Sequence, residues 1–250
     1  MSTYLNKLSP CNTICTINSD VIQPKIDWCK YFDAIYCVHW LPYTDRKKHI
    51  DAELKRIGVL DSGIFEYKYT FPNEYDKIVG RNMPFALGIS PNDPKRFARE
   101  CNLEVAYYEV MKTAIYRGFT RILTIEDDCC FVADNKTIIE TLDHLPYGWD
   151  FVHFDKALTS VENHRLSTTT SDQWIMHNYT GGYWGGCMMA FSVNALRVIT
   201  SLQEKTLYAI DYMCENRDNV PEFEPLKRYS TVPILVMQYG HDKLYHQMLM

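Results

Sequence analysis

Three consecutive carboxylates, Glu126, Asp127 and Asp128, follow directly on the apolar run Ile122-Leu123-Thr124-Ile125. Acidic side chains in a row repel one another, and burial at a strand end raises the cost of keeping them charged. A hard divalent cation, magnesium or manganese, relieves such a conflict because it takes oxygen ligands. In a sugar transferase a cation so placed acts as a Lewis acid on the diphosphate and stabilises the departing nucleotide. Open α/β sheets gather ligands at the carboxyl ends of their strands, and that is where this triplet falls. Solvated loops and helix N-termini also attract acidic residues. The buried run in front of the triplet is what sets it apart from them.

Other residues could serve the same site. Arg46 opens an expected helix, and an Arg fork suits phosphate oxygens; a surface Arg on an ordinary helix is the plain alternative. His39, Leu41 and Pro42 follow the first expected strand and would line a nucleotide pocket. Asp155 ends another strand and is a candidate general base for an acceptor hydroxyl. Gly181, Gly182, Gly185 and Gly186 bracket Tyr183 and Trp184. Glycines allow close backbone approach and the rings could stack on a sugar face, although tight packing of a buried strand explains the same pattern.

These residues need elements to hold them. Residues 34–38 form an apolar, β-rich run, which predicts a buried strand. Asp45 is placed to cap a helix whose apolar face is Ile50, Leu54 and Ile57, with Gly58 ending it. Phe65, Tyr67, Tyr69 and Phe71 alternate as in a strand with one buried face. Residues 72–94 read as a long loop. A helical stripe runs through Phe97, Cys101, Val105, Tyr108, Met111 and Ile115, and Gly118 closes it before a strand at 121–125. A helix at 136–144 and a strand at 149–154 follow. The Ser/Thr/Asn-rich stretch 157–180, with Thr168-Thr169-Thr170, is expected to be a loop. A strand at 183–191, a helix capped by Ser192 and a last strand at 232–236 complete the pattern. The chain is expected to have an N-terminal arm at 1–30 and one α/β domain at 31–250 with a mostly parallel sheet.

Bulk properties exclude several classes. A chain of 250 residues can bury a full core. The net charge of −5 argues against nucleic acid as the main partner. No polybasic segment, apolar leader or spanning run is visible. Nine scattered Cys form no disulfide framework; Cys11 and Cys15 lack the further ligands of a zinc site, and Cys129 and Cys130 read as small apolar residues at a strand end. A reducing, cytoplasmic setting is expected.

Several ordered segments resemble glycosyltransferase family 25, the lipopolysaccharide-biosynthesis and collagen-galactosyltransferase type. They are 34–41 followed by Asp45-Arg46; 114–118 followed by Arg121-Ile122-Leu123-Thr124-Ile125-Glu126-Asp127-Asp128; Gly148-Trp149-Asp150-Phe151-Val152; 181–196; Ala209-Ile210-Asp211; and 233–238. The resemblance spans about residues 32–240. It implies a GT-A type fold that binds a nucleotide-sugar, with UDP-galactose or UDP-glucose as donor. It further implies a divalent metal, manganese foremost, and inverting transfer to a sugar hydroxyl of a glycan acceptor. It makes Asp128 and Asp127 metal and diphosphate contacts with Glu126 beside them, and it favours Asp211 as the base. The family's Ser-His pair ahead of the acidic strand is absent, since this helix reads Arg99-Glu100-Cys101-Asn102. Two other classes fit parts of the pattern: a metal-dependent phosphoesterase, and a catalytically silent glycan- or partner-binding module on a transferase fold.

Overall fold

The structure, a computed structural model, describes residues 23–70, 94–155, 168–171, 174–176, 186–205, 210, 221–223, 225–231 and 234–238. In chain order the elements are β1 (Ala34–Trp40), α1 (Thr44–Arg56), β2 (Phe65–Thr70), α2 (Pro94–Tyr116), β3 (Arg121–Glu126), β4 (Cys129–Phe131), α3 (Asn135–Asp143), β5 (Phe151–His153), β6 (Thr168–Ser171), β7 (Trp174–Met176), β8 (Met188–Ser192), α4 (Val193–Gln203), β9 (Arg228–Thr231) and β10 (Val236–Gln238). Eight strands form one sheet in the order β2-β1-β3-β8-β5-β9-β7-β6, and β10 pairs with β4 in a separate ribbon. The pairs β1/β2, β1/β3 and β5/β9 are parallel, while β8 and β7 run antiparallel to every neighbour. Six strands therefore share a direction and only these two oppose it. The fold is mixed α/β with a mostly parallel sheet.

Two apolar layers cover the sheet, one on each face, as parallel strands require. Ile35 and Cys37 of β1, with Leu123 and Ile125 of β3, pack against Ile50 and Leu54 of α1 and Ile138 and Leu142 of α3. Tyr36, Val38 and Ile122 face the opposite way, against Ala106, Tyr107, Val110 and Met111 of α2 and Leu196 and Ile199 of α4. The period of two along each strand assigns alternate side chains to the two layers. Trp28, in a short 3-10 turn at Trp28–Lys30, is buried in the first layer, and its indole Nε1 donates to the Ile57 carbonyl at 3.0 Å.

Helix ends follow local chemistry. Gly58 and Gly118 take positive φ of 75° and 74° just past α1 and α2, the left-handed turn that glycine adopts without Cβ strain. Ser192 caps α4 by accepting from Ala195 N, and Asp134 caps α3 through Thr137 N. Asp45 does not cap α1. Tyr43 holds the N-cap position without a side-chain hydrogen bond, and Asp45 lies in the first turn, where its charge suits the helix dipole.

Three expectations for the later elements change. The Thr run expected in a loop is β6, paired with β7; β-branched threonines favour extended backbone and outweigh the polar composition. The last strand, expected at 232–236, is instead β10, which begins at Val236, while β9 ends at Thr231; residues 232 and 233 lie outside the described residues. The two-residue Cys129-Cys130 end read from sequence belongs to a strand of its own, β4. The expected loop at 72–94 falls almost wholly outside the described residues. Among the described residues no helix is long and apolar enough to cross a membrane.

Asp33 ties the entrance of β1 to that of β3. Its Oδ2 accepts from Thr120 N at 2.6 Å, Thr120 Oγ1 at 2.8 Å and Arg121 N at 2.9 Å. Partial burial pushes the carboxyl up, but these hydrogen bonds outweigh it and leave the group below the usual aspartate value. Its contribution is therefore complete above the unfolded-state pKa and fades as pH falls through the folded one. Asp33→Ala is expected to cost about 1 kcal/mol at neutral pH. The loss should shrink in acid, as read from urea midpoints at two pH values.

Candidate active site at the carboxyl ends of β1 and β3

Glu126, Asp127 and Asp128 do not form one cluster. The pleat of β3 continues to its end, so adjacent carboxylates leave on opposite faces of the sheet. Glu126 turns toward α2, where its Oε1 accepts from the Tyr107 hydroxyl at 2.9 Å. Asp127 turns toward α1 and Asp128 lies in the turn into β4. The repulsion expected among three adjacent charges is thus relieved first by geometry and by separate partners.

Asp127 is buried and fully engaged. Its Oδ2 accepts from His39 Nδ1 at 2.8 Å and from Trp40 N at 3.1 Å, and its Oδ1 accepts from Arg46 Nη1 at 3.0 Å. A carboxylate only accepts, so His39 carries its proton on Nδ1. His39 is the penultimate residue of β1, Arg46 stands in the first turn of α1, and the short connection between the two elements brings both to one carboxylate.

Asp128 is differently placed. Its Oδ2 meets Arg46 Nη1 at 3.0 Å and accepts from Gln238 Nε2 of β10 at 3.0 Å. Its Oδ1 is buried and has no hydrogen-bond partner. The side chain is 4% exposed, and this burial raises the carboxyl above its usual value although Arg46 and Gln238 pull it down. Arg46 stays firmly charged: partial burial disfavours its cation, and the two carboxylates more than compensate.

The turn holding Asp128 is clasped from α1. His49 Nε2 bonds the Cys129 carbonyl at 3.1 Å, Glu53 Oε2 accepts from Phe131 N at 2.8 Å, and Arg56 Nη2 donates to the Phe131 carbonyl at 2.9 Å. Residues 46, 49, 53 and 56 recur at helical spacing on one face. His49, Glu53 and Arg56 act as a side-chain ladder on one edge of β4, while β10 pairs with the other.

On the opposite side, Asp155 follows β5 and is 8% exposed. Its Oδ2 accepts from Cys187 N at 2.9 Å, and its buried Oδ1 has no hydrogen-bond partner, with His153 Nδ1 at 3.8 Å. Burial pushes the Cys129 and Cys187 thiols up, and the two are in mutual contact. They are inert packing groups, as expected for the first of them. Leu41 and Pro42 lie at the exposed turn after β1, Leu41 being 44% exposed. Asp211 lies outside the described residues, as do Gly181, Gly182, Tyr183, Trp184 and Gly185. The backbone N–H of Ile210, just before Asp211, donates to Glu104 Oε2 at 2.9 Å.

The structure thus brings together His39, Arg46, Asp127 and Asp128. It sets Glu126 across the sheet and places Leu41 and Pro42 at the rim. Sequence reasoning missed Gln238, Tyr107, Tyr69, Tyr43 and Arg99. Tyr69 was legible as a strand residue, and parallel pairing places it in register with His39. Its ring is edge-on to the imidazole at 5.9 Å and stacked on Tyr67 at 5.4 Å. Nothing in the local sequence marks Gln238, which reaches Asp128 across 110 positions.

Asp128 Oδ1 is an acceptor already stripped of water, and a divalent cation would satisfy it. Among the described residues no group of three or more His, Cys, Asp or Glu side chains is arranged to hold a metal. The donor set fits a cation that takes one protein carboxylate and fills its remaining positions with substrate phosphates and water, the habit of magnesium-like ions.

No family model and no curated protein matches the chain. Solved structures resemble it at low identity. A mannose-1-phosphate geranyltransferase from Thermus thermophilus is 12% identical with a TM-score of 0.41, covering 80% of this chain and 73% of its own. A glycosyltransferase involved in glycosylation of the major capsid of PBCV-1 is 9% identical with a TM-score of 0.36, over 87% of this chain and 100% of its own. Mouse xyloside xylosyltransferase 1 is 11% identical with a TM-score of 0.36, over 76% and 82%. Likeness at this level assigns neither family nor activity to this chain. The resemblance to glycosyltransferase family 25 rests on the sequence motifs alone.

Proposed function

We propose that the chain is a metal-assisted glycosyltransferase of GT-A type. In this reading it moves galactose or glucose from a UDP-sugar to a sugar hydroxyl of a glycan, with inversion, in a reducing cytoplasmic setting. The observation that carries the reading is the buried, unpartnered Oδ1 of Asp128 at the carboxyl end of β3. An orphaned carboxylate oxygen in a dry site costs stability and has a use when a cation arrives with a ligand.

The roles follow from the contacts. Asp128 would hold the cation, manganese or magnesium, whose chemistry there would be to neutralise charge on the departing diphosphate. Asp127 spends its oxygens on His39, Trp40 N and Arg46, so it orients those groups and adds its negative charge nearby. Arg46, already bridging both aspartates, would pair its fork with an incoming phosphate. His39, Leu41 and Pro42 border the nucleotide. A carboxylate, Asp211 or Asp155, takes the proton of the acceptor hydroxyl as its oxygen bonds the anomeric carbon and the bond to the diphosphate breaks. The phosphoesterase reading would want several ligands for a two-metal site, and the described residues supply no such group.

Calorimetric titration with UDP-galactose and UDP-glucose, with manganese and then with chelator, tests this reading. Binding that requires manganese is the expected result. Folded protein that binds neither donor with manganese present would overturn it.

A further inference from the structure

Arg99 of α2 reaches over to the start of α1, where its Nη1 donates to the Tyr43 hydroxyl at 3.0 Å. The guanidinium carbon of Arg46 lies 5.0 Å from the centroid of the same ring. Tyr43 thus contacts two guanidinium groups at the N-cap of α1, shortly after β1. The two arginines are not equivalent. Arg46 is committed to Asp127 and Asp128. Arg99 is part-buried and its partner is a neutral phenol; among the described residues no carboxylate pairs with it. Elsewhere in the described structure Arg56 pairs with Glu53 and Arg117 with Glu66. A positioned guanidinium with no carboxylate partner among the described residues, beside a site built around carboxylates, has an unmet preference for an anion. Its planar fork matches phosphate oxygens.

We propose that Arg99, held in place by the Tyr43 hydroxyl, takes the diphosphate of the nucleotide substrate. It does so from α2, which packs on the face of the sheet opposite to α1. This rests on the nucleotide-sugar reading for the identity of the ligand but not for the existence of the anion site. The arrangement divides the diphosphate between two supports. Asp128 would hold a cation that supplies charge neutralisation, and Arg99 would add its own charge from α2 without competing for Asp127 or Asp128. Tyr43 links the two arginines, its ring lying against Arg46 while its hydroxyl accepts from Arg99.

Inorganic pyrophosphate titrated in chelator, by calorimetry at low salt, isolates this contact from the metal. Wild-type protein is expected to bind, with affinity falling as salt rises. Arg99→Gln should weaken binding about ten-fold or more. Arg99→Lys should fall between the two because it keeps the charge and loses the fork. Tyr43→Phe should also weaken binding, by freeing the guanidinium. Arg121→Gln, at the other end of β3, should bind as wild type does. Arg99→Gln should melt with the wild type, because no ion pair is lost. Absence of pyrophosphate binding to the wild type, or equal binding by wild type and Arg99→Gln, overturns the proposal. A titration with UDP-galactose and manganese on the same proteins separates the two ideas. Pyrophosphate binding that depends on Arg99, with no UDP-sugar binding, would keep the anion site and remove the transferase reading.

Discussion

Asp128→Asn is expected to reduce manganese-dependent binding of a UDP-sugar by about 100-fold or more, and to make the metal-free protein more stable, not less. Both effects come from the same atoms. The Asn amide oxygen can still accept from Arg46 and Gln238 as Asp128 Oδ2 does. The unpartnered Oδ1, however, becomes a neutral amide group. A buried neutral group without a partner costs less than a buried charge without one, and the repulsion from Asp127 disappears. A gain of about 1 kcal/mol is a reasonable scale.

The pH dependence should change with it. Burial holds the Asp128 carboxyl above its usual value, so the folded state favours the protonated form. The stability this group contributes is complete below its unfolded pKa of about 4 and is lost as pH rises through the raised folded value. Melting temperature in chelator should carry that downward component in the wild type and lack it in Asp128→Asn. A variant that loses stability and keeps metal-dependent binding would show Asp128 to be an ordinary structural carboxylate.

Arg46→Ala should have the largest stability cost of the site. It removes the cation shared by Asp127 and Asp128, leaving two buried carboxylates side by side. Breaking a buried pair from one side costs about 3–5 kcal/mol. The Arg46 side chain is 38% exposed, so solvent screens part of this, and about 2–3 kcal/mol is expected. Manganese should raise the melting temperature of this variant by more than that of the wild type, because the ion then meets a carboxylate pair with no competing guanidinium. If Arg46→Ala melts like the wild type and responds equally to manganese, Arg46 is a surface residue of an ordinary helix.

The strands that carry the site, β1 and β3, were legible because they are continuous apolar runs whose carboxyl ends are where ligands gather, whereas β6, β7, β9 and the order of the strands in the sheet were not. The sequence also pointed to His39, Arg46, Asp127 and Asp128, which the structure links through Asp127 and Arg46. Two kinds of information were out of reach. The first is cross-chain pairing: Gln238 on Asp128, Tyr107 on Glu126 and Arg99 on Tyr43 depend on which strands and helices become neighbours, and no local pattern encodes that. The second is competition between composition and backbone preference. The polar Thr168-Thr169-Thr170 reads as a loop by composition and forms β6 by virtue of its β-branched side chains. The acidic triplet shows both limits at once. Its position was visible, but its division between two faces follows only from extending the pleat one residue past the last apolar position.

That division makes β3 a partition between two compartments, with odd and even positions addressed to different helices. Inserting one residue within β3 would exchange the addresses of Glu126 and Asp127, presenting the longer acid to His39 and Arg46 and the shorter one to Tyr107. Inserting two would restore the addresses and only lengthen the strand. The site is therefore defined by the parity of β3 as much as by the identity of its acids. A chain that kept the letters Glu-Asp-Asp but shifted them by one position would carry the same motif and build a different cleft.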